Sequence, residues 1–542
     1  MAFLFVLLSL LLSALVSTVF FFGIVRFLGA QVGQYLRRSS RTRRGLLLAR
    51  VATESKNFEA EHNEPEDYDW EEIASVATDG KVGSSKDTQW DGIVGFFHPF
   101  CNAGGGGERV LWAAIRATQK RYPKATCVVY TGDHDVDKAA ILKRVKDRFN
   151  IHLHSPTVHF LYLTTRHWVL ASTWPRFTLL GQSLGSLVLA YDAFALLVPD
   201  IFVDTMGYAF ALALSSLFFP NVPTGAYVHY PTISTDMLHS LQEGGQGVNA
   251  GAGKGYRGAA KQHYWQLFAK IYSMVGSTID VVMTNSTWTQ AHVSSLWGPS
   301  RNKRNNTLEN DIDVVFPPVA VEEVTEAVEV SQASEKKRGP YILYIAQFRP
   351  EKNHQLILEA FAKFLRSNPK LPAYPNEKPQ LILIGSVRDS IDEKSVYKLR
   401  LLAHELHMKE NVEFLCDAPW PQMLEWMGRA SIGVNGMWNE HFGIGVVEYQ
   451  AAGLISVVNN SGGPKLDIVV EVDGQPTGFH ATTVEEYAEG FRKALTLSPK
   501  ETLAMRQRAR KSAERFTDRG FAEKWLRNMD KLVKLQVECT RK

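Results

Sequence analysis

The chain has 542 residues, too many for one hydrophobic core, so two domains and additional segments are expected. A hydrophobic fraction of 45% and a charged fraction of 21% are those of a folded protein, and a net charge of +4 excludes the strongly basic balance of a nucleic-acid binder. Four scattered cysteines, Cys101, Cys127, Cys416 and Cys539, form no CxxC pair or metal-ligand spacing, so reduced thiols and no zinc are expected.

The segment 2–25 carries no charge and is long enough to span a bilayer. No basic region precedes it and no clear small-residue cleavage site follows, which favours a retained transmembrane helix over a signal peptide. Arg26, Arg37, Arg38, Arg41, Arg43, Arg44 and Arg50 all follow the span. The positive-inside rule therefore puts the N-terminus outside the cytosol and the bulk of the chain in it, and the sequons at Asn285, Asn305 and Asn459 should stay unmodified. Residues 54–90 are acidic, polar and poor in apolar periodicity, as in a linker.

A folded domain begins near Asp91. The buried-strand pattern Ile93-Val94-Gly95-Phe96-Phe97 leads into a loop with four consecutive glycines, 104–107, and then a helix. This is neither a Walker A loop nor a GxGxxG fingerprint. Four glycines are costly in backbone entropy as a mere linker, so a loop lying against a phosphate or sugar is favoured over a flexible turn. The stretch 177–219 is unusually apolar, and core packing and contact with a membrane surface are equally compatible with it. A strand over 224–229 ends at His229, which lies either at the ligand edge of a doubly wound sheet or in a packed loop. Residues 244–258 read as a mobile Gly-rich loop, and 322–335 as an exposed acidic insertion.

A second βα alternation starts at Tyr341. Its first strand leads to Gln347-Phe348-Arg349-Pro350-Glu351-Lys352-Asn353-His354. Further on, a strand at 430–435 passes through Glu440-His441-Phe442-Gly443-Ile444-Gly445 into an apolar helix bearing Glu448. Free N–H groups and the dipole at a helix N-terminus favour an anion, and the glycines let a phosphate come close. The two carboxylates beside it either suit hydroxyls rather than phosphate or are solvated helix-end charges, and taken alone they fit both. Arg349 and Lys352 reach the same sheet edge, so cations and a helix N-terminus share one site fit for a diphosphate. Strands alternating with helices in both halves mean two parallel-sheet, Rossmann-like α/β domains facing a cleft. The expected division is an anchor over 1–30, a basic then acidic linker over 31–90, domains over 91–320 and 321–515, and a C-terminal helix over 516–542 that is a candidate to cross back to the first domain.

The Glu440-x7-Glu448 motif, the Arg-Pro-Glu-Lys loop and the two Rossmann-like halves resemble the retaining nucleotide-sugar glycosyltransferases of GT-B architecture. The longer strings 104–112, 204–209, 229–234 and 347–354 are similar to the α-1,2-mannosyltransferases that extend the dolichol-linked oligosaccharide at the cytosolic face of the endoplasmic reticulum. The resemblance covers the chain from about Asp91 onward. It implies GDP-mannose as donor and a dolichyl-diphosphate-linked trimannosyl chitobiose as acceptor, with two successive mannose additions. It implies that Glu448 binds the ribose, that Glu440 binds the transferring mannose, and that Phe442, Gly443, Ile444, Gly445, Arg349 and Lys352 hold the diphosphate. Gly105 and Gly106 would also face the donor, and His229 the mannose or the acceptor hydroxyl. Glu440, His229 and Lys352 are thus the expected catalytic groups, with no metal and no further cofactor.

One departure matters. Many relatives carry Gly-Arg where this chain has Ala346-Gln347, and the arginine is displaced to Arg349; Lys352 therefore carries over more safely. The expected partners are the two substrates and the endoplasmic reticulum membrane, with other mannosyltransferases of the pathway as candidates and no nucleic acid. The rival readings are a non-catalytic lipid- or partner-binding subunit, and a soluble synthase such as sucrose or trehalose-phosphate synthase, which the anchor and the apolar stretch argue against.

Overall fold

A computed structural model of the chain describes residues 2–61, 89–241, 255–302, 312–367 and 370–541. Two parallel sheets form its two halves. The first has the order β3-β2-β1-β4-β5-β6-β7, from β1 (Ile93–Phe97), β2 (Thr126–Thr131), β3 (Val158–Tyr162), β4 (Ile201–Asp204), β5 (Thr224–Val228), β6 (Val281–Thr284) and β7 (Ile312–Val314). The second has the order β10-β9-β8-β11-β12-β13, from β8 (Tyr341–Ile345), β9 (Gln380–Gly385), β10 (Val412–Cys416), β11 (Ile432–Asn435), β12 (Ile455–Asn459) and β13 (Gly478–Ala481). Strands β1, β2, β4, β5, β6, β11 and β12 are buried along their whole length, the result of helices covering both faces. Periodicity alone does not find β3, β7 and β13: each is short, lies at or next to a sheet edge, and lacks a continuous apolar run.

In both sheets the strand order reverses beside the first strand, at β1/β4 and at β8/β11. Ligands of open α/β sheets bind at the carboxyl ends of such switch points. The loops that leave these strands are the glycine loop after β1, the loop after β4, the Arg349–Lys352 loop after β8 and the Glu440 loop after β11. Helix Asp518–Arg541 leaves the second half and packs on the first. Its Phe521, Trp525, Met529 and Leu532 join the core of the β1–β7 sheet, and Asp518 pairs with Arg116 at 2.8 Å.

The N-terminal part departs from expectation. Residues 31–61, read as linker, continue the helix Ala2–Glu61. This helix is held by close backbone approach: a Cβ at Gly33 would stand 1.9 Å from the Phe218 carbonyl oxygen, and one at Gly29 would stand 2.8 Å from Leu217 Cγ. Leu36 is buried. The arginines have tertiary work as well. Arg43 donates to the carbonyls of Ala195 and Leu196 at 3.1 and 2.7 Å, capping the C-terminus of helix Thr178–Leu196, and Arg44 pairs with Asp200 at 2.6 Å. Apart from Phe20, the side chains up to Phe22 lie outside the described residues, and with them most of the anchor expectation.

The apolar stretch 177–219 divides between its two readings. Helix Ala209–Phe218 buries Ala209, Phe210, Ala211 and Leu212. Helix Thr178–Leu196 buries Leu189, Ala193 and Phe194 but turns Leu184, Val188 and Tyr191 outward, 40–46% exposed. It is long and apolar enough to cross a membrane, and 44% of it is buried in the protein. The acidic segment 322–335 is not an exposed insertion. Helix Val321–Ala327 buries Val321 and Val324 against the second domain, and Glu335 reaches the buried Arg506 at 2.9 Å. The expected mobile loop 244–258 lies outside the described residues up to 254, and a helix begins at Gly255.

Candidate active site

A cleft of about 280 Å³ opens between the sheet edges. Gly106, Gly107, His229 and Asn285 face it from the first half; Lys352, Asn435 and the segment 440–446 face it from the second. Helix Ile444–Ala451 starts there from Gly443, whose φ of +108° only glycine adopts readily. The loop before it is held from behind. Gly463 N–H donates to the Glu440 carbonyl at 2.8 Å, and a Cβ at Gly462, where φ is +65°, would lie 2.3 Å from that oxygen. The two halves meet closely across the cleft, since a Cβ at Gly106 would stand 2.5 Å from Ile444 Cδ1.

Among the described residues lining this cleft, Lys352 is the only lysine or arginine. Its ammonium lies 2.5 Å from Glu440 Oε2, with the two side chains 21% and 14% exposed. Burial by itself would raise the Glu440 carboxyl, but Lys352, His441 and Asn435 together hold it below the usual carboxylate range, so it is ionised at neutral pH. Glu448, one turn inside the helix and not among the residues that line the cleft, is in the opposite condition. Burial pushes its carboxyl up to about 7, with only a partial offset from Arg109, and among the described residues no donor hydrogen-bonds to it. An open, half-buried acceptor of this kind suits hydroxyl donors on a ligand.

His229 Nε2 lies 3.1 Å from the Thr205 carbonyl oxygen. A carbonyl only accepts, so Nε2 carries the proton and Nδ1 is left as an acceptor. Burial lowers the His229 pKa to about 4, so the ring is neutral. The turn that carries Thr205 is shaped by Asp204, whose side chain accepts from the N–H groups of Gly207 and Tyr208 at 2.7 and 2.8 Å. His98, fully buried just after β1, holds the same turn from below, with Nδ1 2.7 Å from Thr205 Oγ1.

The structure thus brings His229, Gly106, Lys352, Glu440, Phe442, Gly443, Ile444 and Gly445 into one cleft. Gly105 sits just outside as the N-cap of helix Gly106–Arg121, its N–H donating to Glu108 at 2.6 Å. Arg349 is not brought in: it is 39% exposed and faces Glu351 at 3.8 Å. Sequence reasoning passed over Asn285 and Asn435, although a polar residue closing a buried parallel strand is a readable signal. It also passed over an aromatic group without such a signal: His441 stacks on Tyr230 at 4.1 Å, with Trp288 at 5.3 Å. Contacts of this kind join the halves. Thr287 N–H donates to Asp467 at 3.0 Å, and Asn439 Nδ2 donates to Asp236. Among the described residues, no group of three or more His, Cys, Asp or Glu stands together as metal ligands would.

The arrangement can hold a diphosphate between Lys352 and the N-terminus of helix Ile444–Ala451, with the Glu440 carboxylate placed for hydroxyl groups and a neutral imidazole across the cleft. Residues 91–297 match the family model described as ALG11 mannosyltransferase N-terminus, and residues 327–514 match glycosyl transferases group 1. A Neurospora crassa protein, GDP-Man:Man(3)GlcNAc(2)-PP-Dol alpha-1,2-mannosyltransferase, is 63% identical over 529 residues, covering 94% of each chain. The Homo sapiens protein of the same name is 45% identical over 458 residues, covering 84% of this chain and 89% of its own. Among solved structures, a trehalose 6-phosphate synthase from Burkholderia multivorans superposes with a TM-score of 0.57 at 12% identity, over 81% of this chain and 98% of its own. Anabaena Alr3699/HepE, in complex with UDP and glucose, gives 0.52 at 15% identity over 79% and 97%. At these identities the two structures establish the two-domain glycosyltransferase fold.

Proposed function

The chain belongs to the GDP-Man:Man(3)GlcNAc(2)-PP-Dol α-1,2-mannosyltransferase family, and on that premise we propose that it transfers mannose from GDP-mannose to a dolichyl-diphosphate-linked trimannosyl chitobiose. It adds the fourth and fifth mannoses in α-1,2 linkage. The observation that carries this reading is the Lys352–Glu440 pair set against the N-terminus of helix Ile444–Ala451, opposite His229.

Mechanism follows from charge. Cleavage of the donor bond develops negative charge on the diphosphate and positive charge on the sugar ring. Lys352 and the helix N–H groups answer the first charge, so the reading needs no metal. The ionised Glu440 lies within reach of Lys352 and so beside the same bond; it orients the mannose and answers the second charge. Glu448 accepts from the ribose hydroxyls. His229, neutral and with Nδ1 open, accepts from a sugar hydroxyl. Arg349 takes part only if its loop moves toward the cleft. Attack from the face that the diphosphate leaves preserves the anomeric configuration and uses no enzyme nucleophile, unlike a retaining glycosidase. We place the protein at the endoplasmic reticulum membrane with its catalytic halves in the cytosol, supported by the uncharged span and the arginines that follow it.

The test is incubation with GDP-mannose and the lipid-linked trimannosyl acceptor, reading product size and sensitivity to an α-1,2-mannosidase. Two mannosidase-sensitive additions are expected. Absence of transfer, or a resistant product, overturns the reading.

A further inference from the structure

A second cavity, of about 570 Å³, lies beside the donor cleft and shares His441 with it. Its size is within the range of ordinary ligand sites. Tyr230, Trp288 and Trp438 give it aromatic walls, and Ser234, Ser240 and Asp236 are among the polar groups that converge on it. Among the described residues no lysine or arginine lines it. Aromatic walls with hydroxyls and a carboxylate suit an uncharged polyhydroxyl ligand, whereas a diphosphate would meet acidic groups without a cation.

Asp236 is the discriminating group. Its Oδ2 is engaged twice, by Asn439 Nδ2 and by His292 Nε2 at 3.4 Å. Oδ1 has no protein donor among the described residues, and the side chain is 33% exposed where it lines the cavity. His292 is itself oriented by Thr235 Oγ1 at 2.6 Å. A carboxylate fixed on one oxygen and open on the other is preorganised to accept a ligand hydroxyl. Asn439 precedes Glu440 in sequence, so this cavity and the donor cleft meet at one loop.

We infer that this cavity holds the mannose end of the acceptor, with Asp236 accepting a hydrogen bond from a mannose hydroxyl; the inference rests on the proposed mannosyl transfer. The lipid diphosphate then stays outside, toward Leu179 and the apolar helix Thr178–Leu196.

The experiment compares the full chain with Asp236→Asn, Met237→Trp, which fills the cavity and keeps Asp236, and Asn439→Ala. Kinetics give KM for the lipid-linked acceptor and for GDP-mannose separately. Saturation-transfer NMR reads binding of the lipid-free trimannosyl chitobiose, with dolichyl phosphate as the comparison ligand. Asp236→Asn and Met237→Trp are expected to raise acceptor KM about tenfold or more, to leave donor KM within about twofold, and to weaken the free glycan alike. Asn439→Ala, which releases Asp236 Oδ2, is expected to raise acceptor KM by a smaller factor and to leave donor KM within about twofold. An unchanged acceptor KM, equal losses for donor and acceptor, or a free glycan that binds the variants like wild type overturns the assignment. If wild type transfers nothing, the NMR arm still decides the site, while the functional reading alone fails.

Discussion

Glu448→Gln separates ionisation from shape one turn inside the helix that borders the cleft. Burial holds the Glu448 carboxyl at about 7 against an ordinary 4.5. A carboxyl raised on folding adds stability that is fully present below the unfolded pKa of 4.5 and is lost as pH rises through about 7. The displacement corresponds to at most about 3 kcal/mol. Glu448 is half-buried, and solvent screening reduces this to about 1–2 kcal/mol. The amide of the variant carries no charge at any pH. The variant should therefore melt close to wild type at pH 5 and higher by about 2–6 °C at pH 8, the scale for a domain of this size.

Donor binding should move the other way. The ionised carboxylate is the better acceptor for ribose hydroxyls, and the donor's diphosphate diester has no group that titrates near neutrality. Wild type should therefore bind GDP-mannose more tightly at pH 8 than at pH 6. The variant should bind more weakly and without that slope, raising donor KM more than it lowers kcat. Thermal denaturation from pH 5 to 8, with and without GDP-mannose, reads both effects. A variant that keeps the wild-type pH profile, or a wild-type donor affinity equal at the two pH values, refutes the reasoning.

Further outcomes are expected elsewhere in the chain. Lys352→Ala leaves Glu440 uncompensated in a cleft where the pair is 21% and 14% exposed, at a cost of about 3 kcal/mol; adding Glu440→Gln should recover part of it. Glu440→Gln alone should lower kcat by about 10²-fold, and wild-type turnover would make Glu440 a bystander. Gly462→Ala puts a Cβ 2.3 Å from the Glu440 carbonyl at a φ of +65°, so both melting temperature and turnover should fall, with about 1–3 kcal/mol from backbone strain alone; wild-type values for both would mean that the loop yields freely. A deletion of residues 2–25 should still sediment with lipid vesicles through Leu184, Val188 and Tyr191, and changing those three to serine should release it. A longer deletion, through Arg50, would also strip the buried Leu36 and is not a clean test.

Asn285 and Asn459 are 5% and 3% exposed, so absence of glycans there says nothing about topology. The arginines after the apolar span enter the sequence argument only as charges, yet in the structure Arg43 caps a helix and Arg44 pairs with Asp200, contacts that no charge count reveals. Arg349 matches a basic loop by position, but its backbone leaves the side chain 39% exposed beside Glu351.

The sequence alone determined the two βα alternations, the glycine loop and the Glu440–Glu448 unit, because each is written in neighbouring residues: apolar runs make strands, and glycines and helix starts make phosphate-sized sites. The order in which strands pair was not written there. It set the switch points at β1/β4 and β8/β11 and so brought loops more than two hundred residues apart to one cleft. Tertiary structure alone decided that Lys352 neutralises Glu440, that burial raises the Glu448 carboxyl to about 7 with no hydrogen-bond donor among the described residues, and that Tyr230, Trp288 and His441 close the space beside them. Ionisation and stacking depend on burial and on partners distant in the chain, and local sequence carries neither.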